Sequence, residues 1–121
     1  MIQSHRDLLV WQKAMDLVVC CYEVTNQFPD TERFGITSQI RRAASSIPAN
    51  VAEGKARGTT KSFLNFLAIA DGSLAELDTH LEMAVRLNLM TREHQLTLQT
   101  RMDEIGRMLT GLRRSLKRKL K

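Results

Sequence analysis

Apolar residues recur along this chain in steps of three and four, the spacing that places them on one face of a helix. The clearest repeat runs from Phe63 to Ala84, and another begins at Ile36. The two stripes consist of Ile36, Ile40, Ala43, Ile47 and Val51, and of Phe63, Leu67, Ala70, Leu74, Leu77, Leu81 and Ala84. Both patterns predict amphipathic helices that turn one side toward a core.

Two further repeats predict one helix before this pair and one after it. The first helix should run from about Asp7 to about Asn26, after a poorly ordered lead at residues 1–6, and the last should follow Thr91. Their stripes are Leu8, Trp11, Met15, Val18 and Tyr22, and Leu98, Met102, Ile105, Leu109, Leu112 and Leu116. Four long helices with short connections predict an all-α fold, an antiparallel up-and-down four-helix bundle.

Helix-breaking and helix-capping residues mark the three connections. Pro29 interrupts the pattern after the first helix, and Asp30 is the expected N-cap of the second. The other two breaks fall at 55–60 and 88–91, and each offers a threonine that can cap the following helix. All three connections are short enough to join neighbouring antiparallel helices.

A proline and two glycines lie inside the helical patterns. Pro48 predicts a kink in the second helix, because it lacks the N–H that would bond to the preceding turn. Gly54 is the expected end of that helix, since glycine readily takes a positive φ. Gly72 interrupts the third helix and predicts a close approach of a neighbouring helix.

The composition fits one domain, residues 1–121, with a basic helix end at 112–121. This length can bury a core without a metal or a disulfide, and the chain has only two prolines and six glycines. No segment approaches the roughly 20 apolar residues of a membrane span, and the early charges Arg6 and Asp7 argue against a signal peptide. We expect a cytoplasmic protein. The adjacent Cys20 and Cys21 are expected to be small buried thiols.

The chemistry-bearing residues form no catalytic or metal-binding motif. Glu76 and His80 are four residues apart, and the pair is not repeated as a di-iron bundle would require. The histidines lack a zinc-site context, and no glycine-rich phosphate loop is present. The acids at 76, 78 and 82 are interpreted as a solvated face, with Glu82 paired to Arg86. We therefore expect no enzymatic activity, no cofactor and no metal.

Positive charge is concentrated near the C-terminus. The net charge is +5, and eight of the 18 lysines and arginines lie between Arg101 and Lys121, where the only acids are Asp103 and Glu104. The first 100 residues are therefore slightly acidic. So dense a cluster repels itself unless it is solvated or matched by an anionic partner.

Three segments carry a resemblance to a known family. They read WQKAMDLV at 11–18, SQIRRAASSIPANVAEG at 38–54 and FLAIADGSLAELDTHL at 66–81. From about Asp7 to about Leu89 the chain resembles the bacterial four-helix-bundle proteins encoded in intervening sequences of large-subunit ribosomal RNA genes, a family that includes the accessory proteins of diversity-generating retroelements. The resemblance implies a bundle that assembles as a five-fold ring, has no enzymatic activity and handles nucleic acid.

Charge and resemblance together favour binding to the RNA or DNA backbone. The residues expected to neutralise phosphates are Arg113, Arg114, Lys117, Arg118, Lys119 and Lys121, with a second basic zone at Arg41, Arg42, Lys55, Arg57 and Lys61. Two alternatives stay open. In one, the protein is a structural or protein-interaction module without a nucleic-acid role. In the other, it binds membrane surfaces through its basic amphipathic end.

The first helix also predicts self-association. Leu9, Val10 and Val19 flank its stripe, so its apolar surface is wider than one bundle core uses. A second buried contact would account for that width. We expect a homo-oligomer, and the resemblance implies a pentamer.

Overall fold

The computed structural model describes residues 4–120 as four long α-helices. These are α1 (Leu9–Thr25), α2 (Ile36–Ala56), α3 (Thr60–Arg86) and α4 (Arg92–Arg118), with short 3-10 helices at His5–Asp7 and Asp30–Glu32. Each long helix packs against the next one in the chain, and α4 packs back against α1. The described chain is thus an all-α, up-and-down four-helix bundle, as predicted.

Three of the four predicted core stripes are confirmed. Every predicted position of α2 and α3 is buried, and the stripe of α4 is buried except at Leu112, which is half-buried. Burial of these leucine, isoleucine, alanine and phenylalanine side chains is the main stabilising contribution to such a fold. The sequence pattern therefore identifies the inner faces of these helices correctly.

The predicted stripe of α1 is confirmed at Leu8, packs partly against the core at Trp11 and Val18, and is wrong at Met15 and Tyr22. Its buried face consists of Val10, Ala14, Leu17, Cys21 and Thr25. Trp11 and Val18 are only half-buried, and Met15 and Tyr22 are 40% and 43% exposed. Two apolar stripes run side by side on this helix. The prediction followed the stripe with the larger side chains, whereas the buried stripe contains smaller residues.

The ends of the helices agree with the sequence at two threonines and differ elsewhere. Thr59 and Thr91 each accept a hydrogen bond from a backbone N–H in the first turn, at 3.1 Å. Asp30 does not cap α2, because a 3-10 helix occupies 30–32 and α2 begins only after Gly35. The expected disordered lead is also wrong for residues 4–6, since Ser4 and Asp7 form a capping box; residues 1–3 lie outside the described chain.

Gly54 has a different role from the one expected. It does not end α2, which continues to Ala56, and it is buried against α3. A Cβ at this position would lie 2.8 Å from the Phe66 Cβ and 3.1 Å from the Phe63 Cδ1. The close approach predicted at Gly72 is wrong, because a Cβ there would meet nothing within 4 Å. The left-handed glycine after α2 is Gly58, with a φ of +85°.

Candidate nucleic-acid interface

The alternating direction of the helices brings distant basic segments to one end of the bundle. The end of α2, the start of α3 and the end of α4 meet there, together with the segment that precedes α1. We call this surface the basic end; it comprises Lys55, Arg57, Lys61, Arg114, Lys117, Arg118 and Lys119. It unites most of the predicted C-terminal cluster with the later half of the predicted second zone, while Lys121 lies outside the described residues.

Two lysines border a groove between these elements. Lys55 of α2 and Lys119, which follows α4, both line it, together with Thr59 and Thr60 at the start of α3. The first turn of a helix presents backbone N–H groups and a partial positive charge. Two ammonium groups and a helix N-terminus therefore surround the groove, an arrangement that suits an anion.

Most cations of the basic end have no carboxylate partner among the described residues. Arg57 is the exception, since it pairs with Glu53 at 3.0 Å and lies over the Phe66 ring. Within residues 4–120 the others form no ion pair: Lys55, Lys61, Arg114, Lys117, Arg118 and Lys119. Their charge is therefore not balanced within the described chain.

Arg113 lies in the contact between two helices. Its Nη1 is 3.4 Å from the Asp71 Oδ2, and its side chain is only 28% exposed. Its Nε is buried without a hydrogen-bond partner within the described residues. The geometry directs this guanidinium toward α3, so it contributes less to the outer surface than its neighbours do.

The predicted second zone does not form one surface. Arg41 and Arg42 lie in the first half of α2, and 13 residues of helix, roughly 20 Å, separate Arg42 from Lys55. Arg41 donates from Nε to the Thr25 Oγ1 at 2.9 Å and lies 4.4 Å from the centre of the Tyr22 ring. Arg42 is exposed and forms no ion pair within the described residues.

Sequence reasoning missed an exposed aromatic residue beside these two arginines. Phe34, in the connection before α2, is 88% exposed, and the Arg33 guanidinium lies 5.2 Å from its ring centre. Tyr22, predicted as core, lines a groove together with Phe34 and these arginines. No signal in the sequence indicated this exposure, because with Asp30 as the expected N-cap Phe34 was placed inside the second helix, which in fact begins only at Ile36.

Local contacts and burial shift the pKa of two residues that the sequence analysis considered, Glu82 and Cys21. Glu82 accepts hydrogen bonds from Gln95, Arg92 and Arg86 at 2.6, 2.7 and 2.9 Å, which lower its pKa to about 2. Burial, with a smaller contribution from Cys20, raises the pKa of the Cys21 thiol to about 12. Cys20 is half-buried, and both thiols are free. Among residues 4–120, no three histidine, cysteine or acidic side chains cluster as metal ligands would.

None of the helices in the described part of the chain combines the length and apolar character that crossing a membrane requires.

The fold and the surface charge define a small helical-bundle protein with lysines and arginines concentrated at its basic end. The chain belongs to the family of 23S rRNA-intervening sequence proteins, whose family model matches residues 6–111. It is also similar to the crystal structure of a protein of unknown function from the S23 ribosomal protein family of Bacteroides thetaiotaomicron VPI-5482. That similarity has a TM-score of 0.76 and 26% identity, and it covers 86% of this chain and 97% of the other. No curated protein matches this chain.

Proposed function

We propose that this protein is a non-enzymatic, oligomeric helical bundle that binds RNA or DNA through phosphates at its basic end. The observation that carries the proposal is the convergence of six cations without ion-pair partners, from α2, α3 and α4, on one end of the described bundle. A nucleic-acid backbone repeats negative charge at short intervals and can match such a set of cations. The groove between Lys55 and Lys119 would receive one of the phosphates.

The family assignment agrees with a nucleic-acid partner. The family is described by reference to an intervening sequence of 23S rRNA, and the similar solved structure is described as a member of a ribosomal protein family. Phosphate contacts carry no base information, so the basic end by itself should not select a sequence. The cytoplasm is the compartment that we expect for this activity.

Self-association forms part of the same proposal. Met15 and Val19 expose apolar surface on α1 next to the half-buried Trp11 and Val18. Contact with another copy would cover this strip, and the family resemblance supports a pentameric ring. Several basic ends within one ring would bind a single strand more tightly than one copy, provided that they reach it together.

The same apolar strip favours a second candidate function. In this alternative the bundle is a structural or protein-interaction module, the strip on α1 docks another protein, and the basic end serves only solubility. The two functions differ in what they require of the cations, since only the first needs them to contact a ligand.

The test is an equilibrium binding titration against single-stranded RNA, single-stranded DNA and anionic lipid vesicles over a series of salt concentrations. We expect binding to both nucleic acids, with log K falling linearly against log salt by roughly 0.7 for each phosphate contact on single strands. Stronger binding to the vesicles than to either nucleic acid would favour the membrane-surface alternative. Absence of nucleic-acid binding at low salt would refute the proposal.

A further inference from the structure

We infer that a second groove, far from the basic end, holds an unpaired nucleotide of a single-stranded nucleic acid, with its base stacked on Phe34. This inference rests on the proposed function and adds a preference for single strands to it. We call this site the aromatic groove. It lies between α1 and the start of α2 and is lined by Tyr22, Arg33, Phe34, Thr37, Ser38, Arg41, Arg42 and Ser45.

An exposed phenylalanine provides the surface for the base. Phe34 is the most exposed of the large apolar side chains in the described chain, and it stands in the connection directly before α2. The residue remains 88% exposed although the Arg33 guanidinium lies over its ring. Bases of single strands stack on such aromatic rings and on arginine planes, whereas paired bases are already stacked within their duplex.

The lining of the groove contains three arginines and no carboxylate, although the Glu32 Oε1 lies 3.5 Å from the position that a Cβ would take at Gly35. Arg42 forms no ion pair among the described residues, and Arg33 has only a 4.0 Å contact with the highly exposed Asp30. Arg41 is held in place by hydrogen bonds to Thr25 and Asn26 and by the Tyr22 ring. A preorganised arginine loses little freedom when it meets a phosphate.

The start of α2 adds unused hydrogen-bonding groups to the groove. Its N-cap is Gly35, which has no side chain, so the N–H groups of Ile36, Thr37 and Ser38 have no capping acceptor in the described chain. Thr37 is only 6% exposed, and its buried Oγ1 has no hydrogen-bond partner there. Uncapped N–H groups at a helix N-terminus bind phosphate oxygens well. The phosphate next to the stacked base would lie here, beside Arg42.

The experiment measures the affinity of a short oligouridine and of an abasic oligonucleotide of the same length, for the wild-type protein and for Phe34→Ala. We expect Phe34→Ala to weaken oligouridine binding roughly 5- to 150-fold, the range that corresponds to one base–aromatic stack. Abasic binding should stay unchanged, because the phosphates remain. Phe34→Trp should restore oligouridine affinity. Leu96→Ala, which removes another exposed apolar side chain (62% exposed), should behave like the wild type.

The other outcomes contradict either the aromatic groove alone or the proposed function as well. Equal affinity of wild type and Phe34→Ala for oligouridine, with salt-dependent binding retained, overturns the aromatic groove and leaves the basic end standing. Failure of the wild type to bind either oligonucleotide overturns the proposed function as well. A change in particle mass by light scattering on Phe34→Ala would show that Phe34 contacts another copy or a partner protein, which also overturns the stacking site.

Discussion

Gly54 shows how a single missing side chain allows two helices to pack. It lies inside α2, where glycine costs roughly 0.5–1 kcal/mol relative to alanine. The contact with Phe63 and Phe66 accounts for its presence, because a Cβ would lie 2.8 Å from the Phe66 Cβ and 3.1 Å from the Phe63 Cδ1, closer than ordinary van der Waals contact. Gly72 occupies a similar helical position on an open surface.

This contrast predicts opposite effects of the same substitution. Gly72→Ala should raise the free energy of unfolding by up to about 1 kcal/mol, because alanine favours the helix and nothing obstructs its methyl group. Gly54→Ala should lower it by about 1–3 kcal/mol, because the side chains of α3 must move to admit the methyl group. Chemical denaturation of the two variants and the wild type measures both effects. Stabilisation by Gly54→Ala would contradict the described packing of α2 on α3.

The structural roles of individual residues were harder to predict from the sequence than the helices were. A glycine in a helical pattern indicates either a close approach or a helix end, and the sequence assigned both roles to the wrong glycines, Gly72 and Gly54. Phe34 was equally ambiguous, since an aromatic residue next to a helix start normally belongs to a core. Only the position of the neighbouring helix decides such cases.

At the scale of elements, one carboxylate links α3 to α4. Glu82 of α3 accepts hydrogen bonds from Arg92 and Gln95, which lie in the first turn of α4, and from Arg86 on its own helix. These bonds favour the ionised carboxylate and lower its pKa from 4.5 to about 2. The link lies at the end of the bundle opposite the basic end.

The lowered pKa predicts a pH-dependent effect of Glu82→Gln. The ionised group stabilises the fold above the pKa of the unfolded chain, about 4.5, and this contribution disappears as the pH falls toward about 2. Glu82→Gln should therefore lower the free energy of unfolding at pH 7, and its difference from the wild type should shrink below pH 4.5. Asp78→Asn, at an exposed position without a hydrogen bond or ion pair in the described chain, should have little effect at pH 7. Chemical denaturation of the wild type and both variants across this pH range measures these effects. A difference in unfolding free energy between the wild type and Glu82→Gln that does not change with pH would contradict the prediction.

The helices themselves were largely predictable from their apolar spacing. The stripes of α2 and α3 were correct at every position because each has only one continuous run of apolar residues at helical spacing. Helix α1 has two such runs, and the one with Trp11 and Tyr22 proved to be its flank. Spacing alone cannot rank two neighbouring stripes, since the choice depends on how closely the other helices approach.

For the whole molecule, the direction of the helices converts separate charges into a surface. The sequence indicated a basic C-terminal segment and a second basic zone, and both contribute to the basic end. It could not show that Lys55 and Lys119 border one groove, or that Arg41 and Arg42 lie about 20 Å from it. Those relations depend on tertiary packing, because residues far apart in sequence meet only when the helices are assembled.

The most direct test of the central claim is the salt dependence of RNA binding by the double variant Lys55→Gln/Lys119→Gln. If both lysines contact phosphates, the slope of log K against log salt should become shallower by roughly 1.4, about 0.7 for each lysine that no longer neutralises a phosphate. Arg101→Gln removes a charge from an exposed position on α4, roughly 27 Å along the helix from Lys119, and should retain the wild-type slope. Wild-type affinity and slope in the lysine variant, or an equally shallow slope in the arginine variant, would contradict the account.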